Sequence, residues 1–264
     1  MFIFKNNIWF SDVLDLSGVR HGFSTRLGGV STEEHTASMN TGFYRGDSDD
    51  IVLENIRILA VLSGLSDRVV CTPQIHSNII RRVGAENVGE GSFKDVPYPC
   101  DGFITDEADV TLLVRVADCA PVLLAGLRDD GSPVVCAIHA GWRGSAAGIC
   151  ARAVEMMKNE GCVSISAAIG ACIHPCCFQV GEDMRDSVAE KCGRNFADRY
   201  IACRGESLYA DLPGMNREIL LSSGADRVDI CPACTACRPD LYHSHRATGG
   251  KRGTMGAVIG ITGA

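Results

Sequence analysis

Apolar residues along this chain fall into two patterns. Runs at 2–10, 19–25, 68–71, 79–83, 110–116, 120–125, 133–139 and 163–170 have the length and continuity of strands, several of them apolar enough to be buried. The stretch DDIVLENIRILAVLSG places Ile51, Ile56, Leu59 and Leu62 at helical spacing, with Ser48 as N-cap, acids in the first turn and Gly64 as the stop. Helices are also expected after HAGWRG, over 181–192, and after Asp211, where Asp211 caps and Pro213 sits near the first turn. Between the runs 120–125 and 133–139, Asp130-Gly131 is a strong turn signal and predicts an antiparallel hairpin. No repeat, low-complexity block or linker interrupts this order. The expectation is an α/β chain (α+β the alternative), one compact domain over residues 1–264 with a mixed β-sheet flanked by helices.

Composition narrows the function. With 264 residues the chain can bury a sizeable core, and 46% hydrophobic against 22% charged residues is ordinary for a folded globular protein. A net charge of −7 without any Lys/Arg block argues against nucleic acid as the partner. No run approaches the ~20 apolar residues of a membrane span, and MFIFKNNIWF, with Lys5 in its middle, is not a signal peptide. Fourteen cysteines without a small secreted framework point to a reducing cytoplasm; Cys119, Cys136, Cys150 and Cys162 lie in apolar segments, where a thiol serves as a small hydrophobe.

Candidate chemistry gathers between Cys100 and Gly148. Cys119 ends one apolar run and His139 ends another, so the predicted hairpin brings a thiol and an imidazole together. That pair suits either a Zn²⁺ site or a Cys-His nucleophile. His76 lies in the loop CTPQIHSN. Arg26, before Gly28-Gly29, could hang over a cleft on a mobile loop, and Asn40 is a polar candidate in SMNTGF. The turn holding Gly141 and Gly144 leads into a helix N-terminus, which is either an anion seat or only a tight joint. His174, Cys176 and Cys177 form a cluster on a segment read as a structural loop, because adjacent cysteines in extended chain point apart. Cys231, Cys234 and Cys237, at CxxC spacing, are half of a zinc knuckle that needs a fourth ligand such as His243 or His245.

The motifs HGFSTRLGGVS, SMNTGF, QIHSN, CDGFIT, ADCAPVLL, AIHAGWRGSAAGI, HPCCFQVG, DLPGMN and SHRATGGKRGTMGAVI, in this order, resemble the YfiH/YlmD-like family over nearly the whole chain. This is also called the polyphenol oxidase (laccase-domain) or purine nucleoside phosphorylase family, and ADC followed by HAGWRG is its most specific mark. The resemblance implies a fold similar to cysteine hydrolases of the toxin deamidase type. It implies one zinc held by His76, Cys119 and His139, which would also be the catalytic residues, with a fourth position open. It implies phosphorolysis of adenosine, inosine, guanosine and methylthioadenosine, and deamination of adenosine, so that the partners are a purine nucleoside and phosphate; the chain is separately expected to be a monomer. Arg26, Asn40, the Gly141–Gly144 turn, Arg143 and Arg246 are then the candidates for holding the anion. The alternatives are a copper-dependent phenol oxidase with Cu²⁺ in place of Zn²⁺, a metal-free Cys119–His139 hydrolase acting on a peptidoglycan precursor, and a zinc-stabilised binding module.

Overall fold

The predicted hairpin is the centre of the molecule. In a computed structural model that describes residues 1–263, the strand Ala120–Arg128 pairs antiparallel with Pro133–Ala140, and Gly131, at φ 81°, makes the turn between them. In chain order the elements are β1 (Phe2–Lys5), β2 (Ile8–Ser11), β3 (Val19–Ser24), α1 (Asp49–Leu62), β4 (Val69–Val70), β5 (Ile80–Arg82), β6 (Gly102–Thr105) and β7 (Thr111–Val116). Then follow β8 (Ala120–Arg128), β9 (Pro133–Ala140), α2 (Trp142–Ala146), α3 (Ile149–Asn159), β10 (Cys162–Ile169), β11 (Gln179–Val180), α4 (Glu182–Cys192) and α5 (Arg194–Tyr200). The remainder is β12 (Ile201–Arg204), β13 (Ser207–Ala210), α6 (Leu212–Ser223), β14 (Arg227–Ile230), α7 (His245–Thr248) and β15 (Met255–Ile261).

The class is mixed α/β, as expected, but the strands divide between two six-stranded sheets rather than one. The first has the order β1-β2-β3-β15-β7-β4 and the second β14-β10-β8-β9-β6-β5; β11, β13 and β12 form a small third sheet. Both large sheets are mixed, with β4 parallel to β7, β5 to β6 and β10 to β14 among antiparallel neighbours. They stack face to face. Leu112, Val114, Ala257 and Ile259 from the first sheet and Phe103, Leu123, Val135 and Ala137 from the second fill one buried cluster. The opposite face of the second sheet, through Val122, Leu124, Cys136 and Ile138, packs on α3 and α6, and that of the first, through Leu113 and Val258, packs on α1. Each central strand is covered on both sides, which is why it reads as an unbroken apolar run instead of an alternation.

Local signals explain most of the boundaries. Asp211 caps α6 by accepting from the Gly214 N–H at 3.0 Å, with Pro213 in the first turn. Ser48 stands at the N-cap of α1 but makes no side-chain cap bond. The run 2–10 is two strands, not one, because Asn6 and Asn7 take positive φ (52° and 62°) and turn the chain into a hairpin. Among the described residues no helix is long and apolar enough to cross a membrane.

The interior between the sheets carries the fold's stability. Leu123 is fully buried there, so Leu123→Ala should cost about 2–5 kcal/mol, read as a lowered denaturation midpoint in urea with the far-UV spectrum kept.

Candidate metal and active site

Cys119 and His139 meet because of strand register. Pro121 lies opposite His139 and Ala120 opposite Ala140, so Cys119, one residue before β8, sits across from the end of β9. His139 shares a strand face with Val135 and Ala137, and its ring therefore enters at the end of the inter-sheet layer. The turn before Cys119 is unusual: Asp118, a non-glycine residue, has φ 95°. Its conformation is fixed from three sides. Thr235 Oγ1 donates to Asp118 Oδ1 at 2.6 Å, the Arg246 N–H to Oδ2 at 2.7 Å, and the Ile173 N–H to its carbonyl at 2.8 Å. Backbone strain of this kind persists only where surroundings over-determine it.

The third residue arrives from a distant loop, and a buried carboxylate brings it in. Asp101 is fully buried at the head of β6. It accepts from the backbone N–H groups of Ile75 (3.3 Å), His76 (2.9 Å) and Ser77 (2.7 Å), and from Ser77 Oγ (2.7 Å). That cradle holds His76 at φ 61°. The same carboxylate pairs with His139 Nδ1 at 2.8 Å. His139 Nδ1–H is thereby directed at the carboxylate, which turns Nε2 to the cavity, where it can bind a metal once it gives up its own proton. The two imidazoles lie 4.9 Å apart edge to face, Cys119 Sγ is 3.9 Å from His76 Nε2, and all three ligand atoms fall within 4.8 Å of one another.

The electrostatics follow from this packing. Burial alone would raise the Asp101 pKa, but the hydrogen bonds from His139 and Ser77 bring it down to about 2. Burial opposes charge on the other two groups as well. The His139 charge and the hydrogen bonds from both rings nevertheless lower Cys119 to about 6, and the Cys119 thiolate with Asp101 raises His139 to about 9. Without metal, the pair is a thiolate and an imidazolium near neutral pH. Cys136 and Cys150, buried in apolar surroundings, are pushed the opposite way and stay protonated.

Two nitrogens and a sulfur so disposed fit a borderline metal ion. Tetrahedral bonds of about 2.0–2.3 Å set ligand atoms roughly 3.3–3.8 Å apart, close to the spacing found. A carboxylate behind a metal-facing His is the usual outer support of such a centre. All three residues line one cavity of about 680 Å³. Its other walls carry Arg45, Lys94, Arg115 and Arg252, and aromatic rings from Phe43, Tyr44 and Phe93. Tyr44 and Phe93 are 95% and 73% exposed, so their faces are free to stack on a ligand. Arg252 is partly buried, its Nε has no partner, and burial together with Arg45 lowers its pKa.

The sequence candidates separate on this geometry. His76, Cys119 and His139 come together as one group. Gly141 lies beside them: a Cβ there would be 3.0 Å from Cys119 Sγ and 3.0 Å from His76 Cδ2, so only glycine leaves both side chains in place. Gly144 is inside α2, a helix of five residues whose short dipole makes a poor anion seat, and Arg143 stacks on Trp142 at 4.3 Å. Arg26 is not over the cleft. Its guanidinium donates to the carbonyls of Ala37, Pro239 and Glu34, which makes it a brace between loops. Asn40 is fully buried and bonded to Gly42, Asp47 and the Thr254 N–H. Arg246 donates to the carbonyls of Cys177 and Gln179. Arg26, Asn40, Arg143, Gly144 and Arg246 are all absent from the cavity wall. Asp101 and Arg252 escaped the sequence reading. A lone carboxylate heading the apolar strand GFIT was the available signal for the first, and the basic loop GGKRG for the second.

Known proteins match this chain over nearly its whole length. Residues 20–262 match the family described as multi-copper polyphenol oxidoreductase laccase. The purine nucleoside phosphorylase YlmD of Geobacillus stearothermophilus is 32% identical, over 92% of this chain and 90% of its own. A purine nucleoside phosphorylase of Corynebacterium glutamicum is 34% identical, over 92% and 93%. The crystal structure of the hypothetical protein YfiH from Bacillus licheniformis superposes with a TM-score of 0.88 at 28% identity, covering 99% of both chains. The chain belongs to this laccase-like family, the one that includes YfiH and YlmD.

Asp101 supplies the first test of the site. Asp101→Asn removes the anion that favours the His139 imidazolium, and the imidazolium in turn favours the Cys119 thiolate. In metal-free protein, alkylation of the Cys119 peptide should rise through about pH 6; the variant should shift that midpoint upward by about 1 unit or more. Metal affinity should fall about 10–100-fold. An unmoved alkylation profile would show that Asp101 does not set the charge of the pair.

Proposed function

We propose that this chain is a zinc-dependent purine nucleoside phosphorylase, with the metal on His76, Cys119 and His139. The observation that carries the reading is the convergence of those three ligands, backed by Asp101, on a cavity walled by cations and open aromatic faces. The names of the relatives support the reaction class, and the cavity supplies what such a reaction needs. Phosphate requires a cationic seat, and Arg252, partly buried and without a partner at Nε, together with Arg45, offers one. The purine requires a stacking surface, which Tyr44 and Phe93 provide. A bound zinc ion would supply Lewis-acid polarisation of a substrate or water atom. Asp101 keeps His139 Nε2 and His76 aimed at one point throughout. Adenosine, inosine, guanosine and methylthioadenosine are the substrates on this reading. Adenosine deamination belongs to the same site, with water in place of phosphate and the cavity carboxylates Asp49 and Asp95 available for proton transfer. The acting unit is one catalytic domain over residues 1–264, a monomer, in a reducing cytoplasm that suits fourteen free thiols.

Phenol oxidation by several coppers fits less well. Of the seven histidines, only His76 and His139 enter a group able to share a metal ion among the described residues. His21 accepts from the Ser11 N–H, and His243 is buried elsewhere. One observation does favour a second reading: Cys119, His139 and Asp101 have the nucleophile–base–orienter arrangement of a metal-free hydrolase. His76 separates the two, since the hydrolase has no need of it.

Incubation with adenosine decides the matter. Adenine released only in the presence of phosphate supports the proposal, inosine supports deamination, and neither product would overturn it. Cys119→Ala and His76→Ala should each remove a bound metal and abolish turnover; a hydrolase would survive the second substitution. Arg252→Met should keep that metal and raise the KM for phosphate roughly tenfold to hundredfold, from the loss of a charged hydrogen bond of about 1.5–3 kcal/mol.

A further inference from the structure

Four thiols outside the cavity have no part in this chemistry. Cys176 and Cys177 lie in the turn between β10 and β11, and Cys234 and Cys237 in the turn after β14. Because β10 and β14 are parallel neighbours, with Ile169 opposite Ile230, the segments leaving their ends run side by side. Cys172 and Cys234 pair as an isolated bridge, and the Thr235 N–H donates to the Cys172 carbonyl at 3.0 Å. The two cysteine pairs, distant in sequence, are thus set against each other. Cys237 Sγ is 3.3 Å from Cys177 Sγ and 3.4 Å from Cys176 Sγ, and all four sulfurs fall within 4.8 Å of one another.

Core filling does not explain this group. Cys176 and Cys237 are exposed, unlike Cys136 and Cys150, which are single buried thiols in apolar layers. Four sulfurs around a zinc ion with bonds of about 2.3 Å would stand roughly 3.8 Å apart, close to the spacing here. The adjacent cysteines can share one ion because their backbone is a turn, with the Cys177 N–H donating to the His174 carbonyl, and not the extended chain that its sequence suggested. The His174 N–H also points at Cys234 Sγ, 3.4 Å away, as backbone donors do around metal-bound thiolates. Cys234 and Cys237 are therefore completed by Cys176 and Cys177, and by neither His243 nor His245. Cys231 is fully buried and stands outside the group.

We propose that Cys176, Cys177, Cys234 and Cys237 form a second, closed zinc site that clamps the two loops holding Asp118. Thr235 lies between the ligands of one loop and donates to Asp118, while Arg246 joins the Cys177 carbonyl of the other loop to the same carboxylate. The clamp thus reaches Cys119 through its neighbour in the chain. With four sulfur ligands and no vacant position, its role is structural.

Metal analysis of the full chain, expressed with zinc and freed of loose metal, tests this. The expected content is two equivalents per chain, falling to one in Cys119→Ala and to one in the double variant C176S/C237S. Reconstituted with cobalt, Cys119→Ala should keep the intense sulfur-to-metal absorption of a four-thiolate centre, and C176S/C237S should lose it. If the double variant fails to fold, the Cys119→Ala arm alone decides. Wild type with one equivalent that Cys119→Ala abolishes would overturn the proposal, as would a disulfide joining Cys237 to Cys176 or Cys177 in protein purified under reducing conditions. One equivalent untouched by Cys119→Ala would support this second site while sinking the metal assignment in the cavity.

Discussion

The carboxylate of Asp101 is the constraint on which the site depends. A buried anion must be compensated, and here the compensation comes from the two segments that carry His76 and His139. One is a loop whose backbone amides turn inward around the carboxylate and push His76 into a conformation that non-glycine residues seldom adopt. The other is the end of β9, whose His139 ring is held in one orientation. Remove the anion, and the loop loses its anchor while the ring loses its orientation.

The sandwich supplies the rigidity this arrangement needs. Two sheets with both faces covered leave a dry layer between them, and functional groups at the end of that layer inherit its precision. Cys119 and His139 sit where the strands β8 and β9 run out and the cavity begins, so the same burial that would suppress charge is offset by partners a few ångströms away.

Two loops behind the site complete the picture. Asp118 holds its unusual turn because Ile173, Thr235 and Arg246 all bond to it, and those residues come from three separate parts of the chain. Residues that looked like ligand contacts in one dimension are here the braces of loops. Arg26 and Asn40 are the clearest cases, since each spends its hydrogen bonds on other segments of the chain and neither lines the cavity.

Much of this was legible in the sequence. The hairpin followed from Asp130-Gly131 between two apolar runs, α1 and α6 from periodicity and capping residues, and the pairing of Cys119 with His139 from their places at the ends of those runs; these are short-range signals, written in neighbouring residues. The sequence could not say that β15 inserts between β3 and β7, that the strands divide into two sheets, or that a carboxylate at position 101 would bind the loop at 76. Nor could it show that Cys176 and Cys177 lie against Cys234 and Cys237. Those outcomes depend on which remote strands become neighbours, and period-two patterning is blind to the identity of a strand's partner. A buried, charged residue reads like any other polar residue until packing surrounds it, so the chain alone determined what chemistry was available and tertiary structure decided where it would converge.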